Sequence, residues 1–245
     1  MENIIFCSSP FQVLVAKEVV QTVSEDFIGI YLKMSNDTRQ TFYAERMAEF
    51  CKEVLVLEGK TVFNDIQEAL KDRAISNLYL ASLDNPVALS VFNPSTMNLY
   101  TFDDGSTSVV PLNLYTQNLE RGIPYTNFTL REVMSLSNRH YTVFEDCILF
   151  PKEKQVFLKL HLEPSHFHRA KNGKKISVFL GQFLGSLLYQ EDLEITQKLT
   201  AKILDEQKID YYYPHPRVPL NPYQDKLKET RFCFEEEIYL LLEEY

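Results

Sequence analysis

No stretch of this 245-residue chain approaches the roughly 18 consecutive apolar residues that span a bilayer. The N-terminus, Met-Glu-Asn-Ile-Ile-Phe, starts a strand at once, without the basic region and long apolar run of an export signal. Positive charge is in the minority: 25 Lys and Arg stand against 34 Asp and Glu, a net charge of −9. Because that charge is spread along the chain, there is no basic footprint for nucleic acid or an anionic membrane. The four cysteines, Cys7, Cys51, Cys147 and Cys233, include no C-x-x-C pair. Their scatter fits neither a zinc site nor a disulfide framework, and reduced buried thiols in a cytoplasmic protein are expected. Tryptophan is absent, but 17 Phe and 14 Tyr supply ample core material. The length admits one large domain or two small ones.

Strand-length apolar runs alternate with helix-length segments, the pattern of a parallel sheet wrapped by helices. Strands are expected over 3–7, 27–32, 54–57, 78–81 and 97–102. Helices are expected over 11–23, 37–51, 65–72 and 86–92, the first with Val13, Leu14, Ala16, Val19 and Val20 on a helical period. The pattern then breaks. Residues 106–150 are rich in Asn, Thr, Tyr and Pro, and 151–173 carry Pro151, Pro164 and the polar Lys171-Asn172-Gly173, so the stretch reads as a crossover. A second series is expected with strands at 175–180, 209–213 and 232–234 and helices at 192–207, near 224–228 and from Glu236. The domain expectation is therefore an N-terminal Rossmann-like domain over 1–150, a linker over 151–173, and a C-terminal nucleotide-binding domain over 174–245. Three candidate strands are few for an open doubly wound sheet, so a truncated second domain is expected.

Tyr211-Tyr-Tyr-Pro-His-Pro-Arg217 is the most informative segment. Proline on each side holds His215 in an extended, stiff backbone, so the ring is aimed, and the segment closes a strand, where open α/β sheets bind ligands. Phe102-Asp103-Asp104-Gly105 closes the fifth strand of the first series, with a glycine for a sharp turn. Successive strand residues point to opposite faces, so Asp103 and Asp104 do not share one role; one faces the cleft and the other caps the turn. Glu191 and Asp192 precede a helix after a loop containing Gly181, Gln182 and Gly185. Glycines there allow close approach of a ligand to backbone N–H groups, while an acid there also serves as an ordinary helix cap. Glu235, Glu236 and Glu237 favour the start of the last helix or accept from ribose hydroxyls. His161, His166 and His168 read as a solvated linker rather than a cation site.

Taken together, these segments resemble glycosyltransferase family 52, the bacterial lipooligosaccharide sialyltransferases. The resemblance runs over nearly the whole chain. It rests on Ile5-Phe6-Cys7 with Gln12, Tyr79-Leu80-Ala81-Ser82-Leu83, Thr101-Phe102-Asp103-Asp104-Gly105, His140-Tyr141-Thr142-Val143-Phe144, Leu180-Gly181 with Asp192, and Pro214-His215-Pro216-Arg217. An Asp-Asp-Gly and a His-Pro that each close a strand in a different domain carry most of it, and the same pair marks bacterial sialyl- and polysialyltransferases outside this family.

The resemblance implies a GT-B fold, two Rossmann-like domains facing a cleft with the nucleotide held by the C-terminal one. It implies inverting, metal-independent transfer of sialic acid from CMP-sialic acid to a terminal galactose, with no cofactor. Asp192 carries over as the general base, with Glu191 and Asp103 as alternatives, and His215 as the group serving the departing phosphate. Gly181, Gln182, Pro214, Pro216, Arg217 and Glu236 fall on the donor side, and Gln12, Asp104 and Gly105 on the acceptor side. Family members carry a further serine-bearing segment beyond the position of Glu236. The resemblance also implies a cytoplasmic protein, in peripheral contact with the inner face of the membrane, and a homodimer. Transfer of another nucleotide sugar on the same scaffold, or nucleotide binding without turnover, are the alternatives, because a fold does not fix its chemistry.

Overall fold

The computed structural model describes residues 2–34, 38–161, 177–181, 193–207, 209 and 211–213. The chain divides into two compact units, Met1–His161 and Leu162–Tyr245.

The first unit is built on strands β1 (Glu2–Cys7), β2 (Phe27–Lys33), β3 (Glu53–Glu58), β4 (Ile75–Leu80), β5 (Asn98–Phe102), β6 (Ser137–Thr142) and β7 (Gln155–Phe157). They form one seven-stranded sheet in the order β3-β2-β1-β4-β5-β6-β7, with every pair parallel. The helices are α1 (Pro10–Val23), α2 (Thr38–Arg46), α3 (Val62–Leu70), α4 (Pro86–Ser90), α5 (Leu114–Gln117) and α6 (Leu130–Leu136).

The strands are nearly continuous apolar runs, as befits a parallel sheet covered on both faces. Ile4, Phe6, Ile28, Ile30, Leu32, Leu78, Leu80 and Leu99 line one face, where they pack with Ile66 and Leu70 of α3, Val87 to Leu89 of α4, and Leu130 and Val133 of α6. Alternate residues face the other way, where Phe27 meets Tyr79 edge-on at 4.9 Å and Tyr79 stacks on Tyr100 at 4.6 Å. A Cβ added to Gly29 on this face would lie 2.8 Å from Met47 Cε and 3.0 Å from Cys51 Sγ, so the segment after α2 packs directly on the backbone there.

The chain moves outward from β1 to β3, then returns to β4 and moves outward the other way. With right-handed crossovers the two runs place their helices on opposite faces, and the loops after β1 and β4 diverge. That divergence opens a crevice at the carboxyl ends of β1 and β4, the point where open α/β sheets hold ligands.

Two strands correct the sequence reading. The stretch after Phe102, expected as a crossover, contributes β6 and β7 to the same sheet. In β6 Asn138 and Arg139 are exposed, so the strand lacks an apolar run, and β7 is a three-residue edge strand. His161, expected as a solvated linker residue, is exposed and is also tied to α1: its backbone N–H donates to Glu18 Oε1 at 2.9 Å and its Nδ1 lies 2.8 Å from Glu18 Oε2. Glu18 is buried and 143 residues distant in sequence, beyond the reach of any local pattern.

In the second unit, β8 (Val178–Leu180) and β9 (Tyr211–Tyr213) pair in parallel, joined through α7 (Leu193–Glu206). Tyr212 is buried against Phe179, Ala201 and Leu204, which makes a β-α-β unit with its own small core. The strand expected at 232–234 and the helices near 224–228 and from Glu236 lie outside the described residues.

Candidate active site

The crevice at the carboxyl ends of β1, β4 and β5 is lined by polar side chains that the chain delivers from distant positions. Helix α1 begins directly after β1, with the Ser9 hydroxyl accepting from the Gln12 N–H and Pro10 in the first turn, where its missing donor costs nothing. This start places Gln12 over the strand ends, buried at 3% exposure. Its Oε1 accepts from the Ser8 backbone N–H at 2.6 Å and from the Ser8 hydroxyl at 3.2 Å. The side-chain amide is thereby oriented, and its Nε2 donates to Asp104 Oδ1 at 2.5 Å and to the Ser82 hydroxyl at 3.1 Å.

Asp104 is the hub. Its Oδ2 also accepts from the Ser82 hydroxyl at 2.8 Å and from the Tyr115 phenol at 3.1 Å. Burial, followed by the nearby Asp104 charge, raises the Tyr115 pKa far above its ordinary value, which keeps the phenol a donor. Asp104 itself is half-buried, so the network opens to solvent on one side. Gly105 follows at φ +75, a left-handed conformation that disfavours any side chain, and nothing would touch a Cβ there. Backbone conformation, rather than crowding, therefore selects glycine.

Asp103 has the opposite environment. It is fully buried, and both oxygens are occupied: Oδ1 accepts from the Ser108 hydroxyl and lies 3.2 Å from His140 Nε2, while Oδ2 accepts from the Val143 N–H at 2.7 Å. His140 Nδ1 lies 3.0 Å from the Thr101 hydroxyl, and its ring stacks on Phe150 at 4.3 Å. Burial alone would lower the His140 pKa, but hydrogen bonds to Asp103 and Cys147 outweigh it and the net direction is upward. Cys147 is the counterpart: burial would raise its thiol, but the His140 hydrogen bond and the Leu149 and Phe150 N–H groups bring it below the ordinary value. The Cys7 thiol beneath the crevice is pushed well up by burial and by the charges of Cys51 and Asp104, and is correspondingly unreactive.

Of the residues expected from sequence, the structure brings Gln12, Asp104 and Gly105 together, with Asp103 directly behind them. Gly181 closes β8 in the second unit and is buried. Asp192, Glu191, Gln182, Pro214, His215, Pro216, Arg217 and Glu236 lie outside the described residues. Sequence reasoning gave no role to Ser82, Tyr115, Ser108 or His140. Ser82 and His140 occupy segments already singled out, Ser82 just past the end of β4 and His140 within β6, which was the available signal. Tyr115 carried none, since its helix lies in the stretch expected as a crossover. No group of three or more His, Cys, Asp or Glu side chains able to hold a metal ion occurs among the described residues.

A parallel α/β sheet with a polar crevice at its topological switch point is a Rossmann-like architecture, and in open α/β sheets such a crevice is where ligands bind. The particular family follows from comparison. Residues 24–228 match the model of glycosyltransferase family 52, and the chain belongs to that family. It is a glycosyltransferase. Among similar proteins is the CMP-N-acetylneuraminate:beta-galactoside alpha-2,3-sialyltransferase of Pasteurella multocida, 26% identical over 254 residues, covering 96% of this chain and 80% of that protein. The N-acetyllactosaminide alpha-2,3-sialyltransferase of Haemophilus influenzae is 26% identical over 259 residues, covering 97% of this chain and 81% of its own. No helix among the described residues is long and apolar enough to cross a membrane.

Proposed function

We propose that the chain is a sialyltransferase that moves sialic acid from CMP-sialic acid to a terminal galactose of a bacterial surface glycan, forming an α-2,3 linkage with inversion and without a metal. The observation that carries this reading is the family match over residues 24–228, together with relatives that share nearly the whole chain and are named for transfer to β-galactosides. In this reading the two units form a GT-B pair, with the acceptor at the crevice of the first and the nucleotide on the second.

A sugar hydroxyl is a weak nucleophile, so a carboxylate within hydrogen-bond reach must take its proton as the new C–O bond forms. Asp192 is assigned this role, with Glu191 beside it as the alternative. Asp103 is less suited, because its oxygens already serve Ser108, His140 and Val143. As the bond from the sialyl C2 to the phosphate oxygen breaks, negative charge grows on CMP, and His215 donates to it. Gly181, Gln182, Pro214, Pro216, Arg217 and Glu236 hold the nucleotide. Gln12, Asp104 and Gly105 shape the acceptor crevice, where the half-buried Asp104 offers a hydrogen-bond acceptor to an incoming hydroxyl. Peripheral contact with the inner face of the cytoplasmic membrane and homodimer formation belong to the same proposal.

Purified protein incubated with CMP-sialic acid and lactose should yield a sialylated trisaccharide, unaffected by EDTA. Asp192→Asn and His215→Ala should each lower kcat by about 100-fold or more, the usual scale for losing a positioned acid or base. Tighter binding of UDP than of CMP in calorimetric titration would count against sialyl transfer and for another nucleotide sugar.

A further inference from the structure

Tyr125 stands out in the first unit. Two non-glycine residues have positive φ among the described residues, Ser24 at 57° and Tyr125 at 60°. Ser24 closes α1 as a left-handed cap, which accounts for it. Tyr125 terminates no helix. A bulky side chain in this region is strained, and glycine or asparagine would be the ordinary occupant of such a turn. The strained residue is nevertheless 82% exposed, so burial of its ring does not repay the strain.

The turn has little freedom to relax. The Ile123 N–H donates to the Phe128 carbonyl at 2.8 Å, the Thr126 N–H and hydroxyl both donate to the Ile123 carbonyl, and the Phe128 N–H donates to the Thr126 hydroxyl. Ile123 is buried in the core, and Phe128 packs beside it and against Phe92 at 5.7 Å. The ring of Tyr125 meets Phe63 at 5.1 Å and 61°, a contact that fixes its orientation while leaving most of it in water.

The ring also lies at the functional end of the sheet. Phe63 is in the first turn of α3, which starts where the chain leaves the carboxyl end of β3. Arg121, four residues before Tyr125, pairs with Asp84, which is two residues beyond the Ser82 that donates to Asp104. Four residues reach at most about 14 Å, so Tyr125 lies within that distance of Arg121.

We propose that Tyr125, backed by Phe63, is a binding platform for a sugar ring of the acceptor glycan beyond the galactose that receives sialic acid. A pyranose presents a face of C–H groups, which suits the electron-rich face of an aromatic ring, and the phenol can exchange hydrogen bonds with sugar hydroxyls. Holding the ring ready in the free protein lowers the ordering cost of binding a flexible glycan. The proposal rests on the reading that the chain acts on a glycan.

The test compares a galactose-terminated disaccharide with a galactose-terminated tetrasaccharide, using wild type, Tyr125→Asn and Tyr125→Phe. Asparagine tolerates the left-handed backbone, so Tyr125→Asn should keep or raise the Tm. It should raise KM for the tetrasaccharide about three- to tenfold, leaving kcat, the disaccharide KM and the CMP-sialic acid KM unchanged. Tyr125→Phe should retain most of the tetrasaccharide preference. An unchanged ratio of the two acceptor KM values, or equal losses on both, overturns the platform while leaving sialyl transfer intact. If wild type transfers no sialic acid to either acceptor, the function reading fails instead. Titration of the tetrasaccharide into wild type and Tyr125→Asn then decides the platform, which is overturned if the two bind alike.

Discussion

Asp103 and Asp104 are neighbours in sequence with separate roles, because strand geometry turns one inward and the other toward the crevice. Asp103 binds β5 to β6 and to the chain beyond β6 through His140 and Val143, and so sets the plane from which Asp104 projects. The arrangement has a pH signature. His140, with an ordinary value of 6.5, has its pKa raised in the folded protein by Asp103 and Cys147 against the effect of burial. A raised folded pKa contributes stability that is full below pH 6.5 and is lost as pH rises through the higher folded value. Cys147 faces the same ring with a lowered pKa and supplies part of the rise at His140, so the thiol is kept in the comparison. In the wild type, stability from urea unfolding should fall as pH rises from about 6 to about 8. Adding His140→Gln should flatten that fall. An identical slope with and without His140 would show that the imidazole takes up no proton linked to folding.

Secondary structure was largely legible where apolar content and periodicity coincide. The first five strands fall within a few residues of expectation, since parallel strands covered on both faces must be apolar throughout. Strands β6 and β7 were not legible: Ser137-Asn-Arg-His-Tyr-Thr142 is polar because it ends in the buried Asp103 network and exposes its middle. At the opposite end of the sheet a ladder of asparagines crosses four adjacent strands. Asn138 donates to Asn98 at 3.3 Å, Asn98 to Asn77 at 2.9 Å, Asn77 to Asn3 at 2.7 Å, and Asn3 to Glu25 at 2.8 Å. Asn3, Asn77 and Asn98 are register partners, so the ladder pins the pairing of β1, β4 and β5 on which the alignment of Gln12, Ser82 and Asp104 depends. No single-strand pattern reveals such a ladder. Asn77→Ala removes one donor and one acceptor from it and should cost about 1–2 kcal/mol in denaturant unfolding. Asn77→Asp, which keeps the acceptor for Asn98 but loses the donor to Asn3, should fall between wild type and Asn77→Ala.

At the scale of the whole molecule the division of labour follows from where each set of residues resides. Among the described residues, those that line the crevice all precede His161, and that residue is tied back to Glu18 of α1, so the first unit closes on itself. Its sheet, both faces of its core and the Asp103 network are all contained within 2–161, a size at which single domains fold alone. A fragment of residues 1–161 should therefore unfold cooperatively. The second unit is a distinct β-α-β framework in which β8 leads to Gly181 and β9 leads toward His215. If the nucleotide is held there, the full chain should bind CMP and be stabilised by it, by about 2.7 kcal/mol at a hundredfold excess over Kd. The fragment should show neither calorimetric heat nor a Tm shift. A fragment that folds and binds CMP as tightly as the full chain would move the donor to the seven-stranded sheet. Asp104 and Gln12 would then be nucleotide ligands, and the acceptor would have to be sought on the second unit.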